Sequence, residues 1–171
     1  MQSYKQNQPK QQEILLVNET RKEVPAKRVN IVSLKMVRDS TIHYQDRHIR
    51  SPQDSYNIIR TFLEDADREM FVVMALDVKN QPTNIQIAHI GSLNASIVHP
   101  REIMKMAILS NAASLIVFHN HPSGHVSPSS EDFDVTKRLK EAGEIMGIEL
   151  LDHLIISSEN TFYSFKEKGH L

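Results

Sequence analysis

Two short apolar runs, Phe71 to Leu76 (FVVMAL) and Ser114 to Phe118 (SLIVF), constrain this chain more than any other feature. Neither alternates apolar with polar residues, so each reads as a central strand buried on both faces of a sheet. Helix signals lie around them. Ser51 and Pro52 pair a capping residue with a proline suited to the first turn, and Tyr56, Ile59, Phe62 or Leu63, and Ala66 recur at helical spacing. Pro100 starts a second helix, with Glu102 in its first turn and Ile103, Met106 and Ala107 as its buried stripe. Ser129 or Ser130 opens a third, with Val135, Leu139, Ala142 and Met146 on one face and Gly147 at its stop. Asn80-Gln81-Pro82 marks a turn, after which Ile85, Ile87 and His89 alternate as in an antiparallel partner strand. Ile148 to Ile156 and Thr161 to Phe165 supply further strands, and Val29 to Arg38 (VNIVSLKMVR) reads as one more. The expected class is α/β (α+β), a mixed central β-sheet flanked by helices.

The 171 residues suit one domain of ordinary size, with 40% hydrophobic and 24% charged residues. Residues 1–50 are expected to form a polar, partly flexible N-terminal arm with one strand, and residues 51–171 the folded domain. Met1 to about Glu13 is the most polar part, and Asp39 to Arg50 reads as a loop. The net charge of −1 exerts no general pull on nucleic acid, although the first 38 residues are locally basic. Absence of cysteine excludes a disulfide scaffold, a thiolate nucleophile and a Cys-ligated metal site. No apolar run approaches the ~18 residues of a membrane span, and the N-terminus is polar rather than a signal sequence. A cytoplasmic protein is expected.

SLIVF leads directly into His119-Asn120-His121-Pro122. On an extended chain residues i and i+2 share a face, so His119 and His121 can aim both imidazoles at one point while Asn120 points elsewhere. Pro122-Ser123-Gly124 then breaks the strand, leaving the pair at a sheet edge open to a ligand. Asp132, in the first turn of the next helix, can swing back toward them. Two imidazoles and a carboxylate with one position left for water suit Zn²⁺, and the same donors admit other divalent ions. Asp132 has a second reading, because Ser129-Ser130-Glu131-Asp132 fits a capping box in which serine and an acidic residue satisfy free helix amides. The letters of His119-Asn120-His121 also spell a nuclease motif, but there the three residues are widely spread, and the spelling is coincidence.

His119, His121, Ser129 and Asp132 fall on the spacing H-x-H-x7-S-x2-D, and here the chain resembles the JAMM (MPN/JAB) metallohydrolases. The text HNHPSGHVSPSSEDFDVTKRLKEAGEIMGIELLDHLIIS, with Asn94-Ala95-Ser96 and Val98-His99-Pro100-Arg101-Glu102 upstream, is similar to the RadC branch in particular, over about Ser51 to Phe165. The resemblance implies a cytidine-deaminase-like/MPN architecture with one Zn²⁺ held by His119, His121 and Asp132. It implies Glu69, just ahead of FVVMAL, as general base, with Glu64 and Glu102 as competitors for that role. Ser129 would hydrogen-bond the water or the developing oxyanion. RadC proteins usually carry an N-terminal helix-hairpin-helix region, which the first fifty residues here are too few and too polar to supply. A stand-alone short form is therefore expected, with DNA a weak partner.

The expected function is a zinc-dependent hydrolase acting on a peptide or isopeptide amide of a protein or peptide substrate. The alternative is a DNA-associated repair or mobile-element accessory protein. His99 and His153 each read as a structural histidine or as a support for a metal-bound imidazole. His125 reads as solvent-facing, and Asn94 and Ser96 as cleft-lining candidates.

Overall fold

The computed structural model describes residues 28–44, 48–63, 66–91 and 98–171. Helix α1 (Pro52–Leu63) precedes strands β1 (Met70–Leu76) and β2 (Pro82–Ile90). Helix α2 (Pro100–Leu109) leads into β3 (Ser114–His121), and α3 (Ser130–Met146) connects β3 to β4 (Glu149–Ser157) and the short β5 (Phe162–Ser164). The sheet has the order β2-β1-β3-β4-β5. Strand β3 pairs antiparallel with β1 and parallel with β4, so the sheet is mixed and the fold α/β, as expected.

Period-two alternation sorts the core into two halves. Phe71, Val73, Ala75, Leu115 and Val117 face α2 and α3, with Ile103, Val135 and Leu139 among their partners. Val72, Met74, Leu76, Ile116 and Phe118 face the other way, onto Tyr56, Ile59 and Leu63 of α1. Both unbroken runs are therefore covered on both sides, which is why they lack polar alternation. β2 is different: it is an edge strand, and Ile87 and Ile90 remain substantially exposed.

Local signals place the helix ends. The Ser51 hydroxyl accepts from Asp54 N at 3.3 Å, and the Asp54 carboxylate accepts from Ser51 N at 2.9 Å. His99 caps α2, its Nδ1 accepting from Arg101 N at 3.1 Å, which makes it a structural histidine. Gly147 closes α3 in the left-handed region, φ 68°.

Three expectations change. Residues 28–44 form no regular element, so Val29 to Arg38 is not a strand; Val29, Ile31 and Val32 lie exposed. β-branched residues favour a strand only where a ladder and a packed face are available, and no described strand pairs with this run. Met146 is exposed rather than part of the buried face of α3, because the chain reverses at Gly147. Gly143 takes the close contact instead: a Cβ there would lie 2.3 Å from the Ile148 carbonyl oxygen. Helix α1 stops at Leu63, short of Ala66. Glu64, Asn94, Ser96 and the arm at Met1 to Glu13 lie outside the described residues. Among the described residues no helix is long and apolar enough to cross a membrane.

Candidate metal centre

Strand β3 runs three residues further than the apolar core needs, through His119 to His121. The alternation that turns Leu115 and Val117 toward α2 and α3 continues, so both histidines emerge on the α3 side of the sheet. β3 is the middle strand of five, so the pair sits at the carboxyl end of a central strand and not at a sheet edge. That is the usual ligand position in a sheet with parallel crossovers, because the following helix starts there and leaves a crevice.

Asp132 comes to the same point from α3. The capping box is formed: the Ser129 hydroxyl accepts from Asp132 N at 3.2 Å, and Asp132 Oδ2 accepts from Ser129 N at 2.7 Å. The Ser129 hydroxyl also donates to Oδ2, at 2.7 Å. Capping uses Oδ2, while Oδ1 lies 3.2 Å from His119 Nε2, so the two readings of Asp132 are compatible. The cap fixes the carboxylate that faces the imidazoles.

Three donor atoms converge. His119 Nε2 and His121 Nε2 are 2.9 Å apart, and His121 Nε2 is 3.9 Å from Asp132 Oδ2. One ligand atom from each of the three residues lies within 4.8 Å of the others. His121 Nδ1 is 2.7 Å from the His125 carbonyl oxygen, which can only accept; the ring proton is therefore on Nδ1 and the lone pair on Nε2. A carboxylate oxygen and a bare imidazole nitrogen brought together repel unless a cation lies between them. Ligands about 2.0–2.1 Å from a tetrahedral zinc are roughly 3.3 Å from each other, close to the separations here. The residues present fit such an ion.

Buried side chains wall the centre on one side. His119 and His153 are fully buried, Asp132 is 4% exposed, and the Phe71 ring stacks beside His119 with centroids 6.3 Å apart. Burial holds the His119 imidazole down to about 4, below its ordinary 6.5; the Asp132 carboxylate pulls the other way and His121 adds to the lowering. Burial lowers His153 as well, well below the usual imidazole range.

Glu69 directly precedes β1. Register Phe71↔His119, continued two residues back, sets it opposite His121, and strand alternation gives it the face of Phe71 and His119. The Asn120 side chain, turned away from the histidines as expected, holds this segment. Its Oδ1 accepts from Met70 N at 2.7 Å and its Nδ2 donates to Arg68 O at 3.0 Å, one bond on each side of Glu69. Gly91 N adds a third, donating to Glu69 O at 2.8 Å. Replacing Asn120 with alanine leaves Met70 N without its acceptor, and a loss of about 1–2 kcal/mol is expected in urea unfolding of the zinc-free protein. An unchanged midpoint contradicts this role for Asn120. Glu102, a competitor for the base role, is bonded to Arg101 at 3.2 Å and Lys105 at 2.7 Å on the exposed side of α2.

Sequence reasoning missed two supports, the His125 carbonyl and Thr136, and left His153 open between a structural histidine and a support for a ligand. The His125 carbonyl orients His121, but any residue has a carbonyl, so the sequence carries no signal for it. His153 Nε2 lies 2.8 Å from His119 Nδ1, and Thr136 Oγ lies 2.7 Å from His153 Nδ1. Thr136 is four residues after Asp132 and thus one turn above it, a spacing that was readable. The adjacent Asp152 carboxylate serves the fold instead, accepting from Ser164 Oγ at 2.6 Å and Lys166 N at 3.0 Å; burial raises its pKa.

Comparison with known proteins matches residues 49–170 to the family of the RadC-like JAB domain. A UPF0758 protein of Geobacillus sp. (strain WCH70) is 53% identical over 135 residues, 78% of this chain and 59% of that protein. One of Halalkalibacterium halodurans is 52% identical over 132 residues, 77% of this chain and 56% of its own length. One of Geobacillus thermodenitrificans is 54% identical over 129 residues, covering 75% and 57%. The chain thus spans less than two thirds of the length of these relatives.

Proposed function

Because the chain belongs to the RadC-like JAB domain family, we propose that it is a zinc-dependent hydrolase of the JAMM type, cleaving a peptide or isopeptide amide in a protein or peptide substrate. The observation that carries this reading is the convergence of His119 Nε2, His121 Nε2 and the Asp132 carboxylate at the end of β3. One zinc ion there supplies a Lewis acid that polarises a carbonyl and brings the pKa of water to about 7.

The remaining chemistry belongs to the chain's own residues. The Glu69 carboxylate, on the face and at the register level of the histidines, takes the proton from the attacking water and returns it to the departing amine. Asn120 keeps the Glu69 backbone in place for this. The Ser129 hydroxyl, whose one proton goes to Asp132 Oδ2 in the substrate-free chain, would turn that proton to the oxygen on which negative charge develops. Phe71 and the buried imidazoles exclude water from the sheet side, which strengthens each of these interactions.

Two measurements test the reading. The purified 171-residue chain is expected to hold close to one zinc per chain by mass spectrometry, and to hydrolyse members of a panel of peptide and isopeptide amides. Glu69→Gln is expected to lower kcat by roughly 10²–10⁴-fold with the zinc content unchanged, as removal of a general base does. Zinc-loaded, folded protein with no hydrolysis across the panel overturns the assignment. Binding to DNA that falls steeply with salt would favour the DNA-associated alternative instead.

A further inference from the structure

We infer that Thr136 and His153 are positioning residues for the metal centre: together they hold the ring proton of His119 on Nδ1 and so present its Nε2 lone pair to the ion. The inference rests on the metal-centre reading above and adds two residues that do not touch the ion.

The polarity of the relay follows from its far end. Thr136 Oγ lies 2.6 Å from the Asp132 carbonyl oxygen, which has no proton to give, so the hydroxyl donates there. Its remaining lone pairs accept, and the neighbour at 2.7 Å is His153 Nδ1, which therefore carries the His153 ring proton. A neutral imidazole has one ring proton, so His153 Nε2 is bare and accepts. Its partner at 2.8 Å is His119 Nδ1, which must be the donor. His119 Nε2 is left as a lone pair, facing His121 Nε2 at 2.9 Å and Asp132 Oδ1 at 3.2 Å.

The relay closes on itself. It starts at the backbone of Asp132, crosses from α3 to β4 and then to β3, and ends at the atom that faces the Asp132 side chain. All its members are buried, with Thr136 3% exposed and both rings fully enclosed, so no water substitutes for a lost partner. The usual partner of a metal-bound imidazole is a carboxylate or a carbonyl. Here a second imidazole is inserted, and its direction is set by one hydroxyl.

The test uses the full chain. In zinc-free wild-type protein, two-bond ¹H–¹⁵N ring correlations are expected to show His119 and His153 both protonated at Nδ1. Thr136→Val removes the acceptor; the His153 proton then moves to Nε2, donates to His119 Nδ1 and drives the His119 proton onto Nε2, where the ion would sit. Zn²⁺ affinity is expected to fall about 10–100-fold, the range for partners behind metal ligands. Thr136→Ser keeps the hydroxyl and is expected to restore both the wild-type ring correlations and the wild-type Zn²⁺ affinity. His119 protonated at Nε2 in the wild type overturns the inference, as does Thr136→Val binding Zn²⁺ as tightly as the wild type. If the wild-type chain binds no zinc, the metal reading falls alone, and the ring correlations still decide the relay.

Discussion

His121→Ala is expected to abolish the proposed zinc binding and hydrolysis while the chain stays folded. The imidazole supplies one of three protein donors, and two donors cannot complete a site that needs three plus an open position. Zinc affinity is expected to drop by more than ~100-fold, beyond the range seen for residues that merely support ligands. Zinc content is then expected to be near zero instead of the proposed one per chain, and turnover to stand at background. Of the three donors His121 gives the cleanest test. Its side chain is 17% exposed, against 0% for His119 and 5% for Asp132, so its removal opens little of the core. The fold loses only the bond to the His125 carbonyl, worth about 1 kcal/mol. Asp132→Ala would also destroy the capping box of α3 and confuse lost metal with a weakened helix. Circular dichroism together with metal analysis decides it: a folded variant that keeps its zinc and its turnover refutes the ligand role of His121.

The zinc-free protein loses stability as pH falls from 6.5 toward 4. His119 is buried, so its imidazolium form is disfavoured and it stays neutral down to about 4, whereas in the unfolded chain it protonates near 6.5. Between those values the unfolded state binds a proton that the folded state refuses, and acid therefore pulls toward unfolding. The contribution is fully present above 6.5 and lost by about 4, a total loss of roughly 3 kcal/mol from this one ring. His153, lowered by the same burial, acts in the same direction. A loss of this size is a large part of the 5–15 kcal/mol that holds an ordinary domain together. The upper part of the window, pH 6.5 to 5, lies above the ordinary carboxylate range, so histidines dominate there. Urea unfolding at pH 7.5, 6 and 5 with chelator present reads it directly. A flat midpoint over that interval contradicts the buried, neutral state of these rings.

Much of the fold was legible because its signals are local. FVVMAL and SLIVF became β1 and β3, Pro52 and Pro100 began helices, and Gly147 ended one in the left-handed region. The misreadings had a common cause. Val29 to Arg38 has the composition of a strand but no described ladder to join, and Met146 has the spacing of a core residue but lies where α3 ends. Composition and period describe what a segment can bury; they do not say whether a surface is there to cover it.

In the site the division is the same. The order H-x-H-x7-S-x2-D determined which residues come together as a group able to hold a metal, because alternation along β3 and one capping turn of α3 are short-range geometry that spacing encodes. Tertiary structure alone decided which groups stand behind those residues. His153 lies 34 positions from His119 and meets it only because β4 pairs with β3 in the register Val117↔His153. Asn120 reaches the backbone on either side of Glu69 across fifty residues because β1 runs antiparallel beside β3. Strand pairing sets these contacts, and pairing is a property of the assembled sheet that no single segment carries.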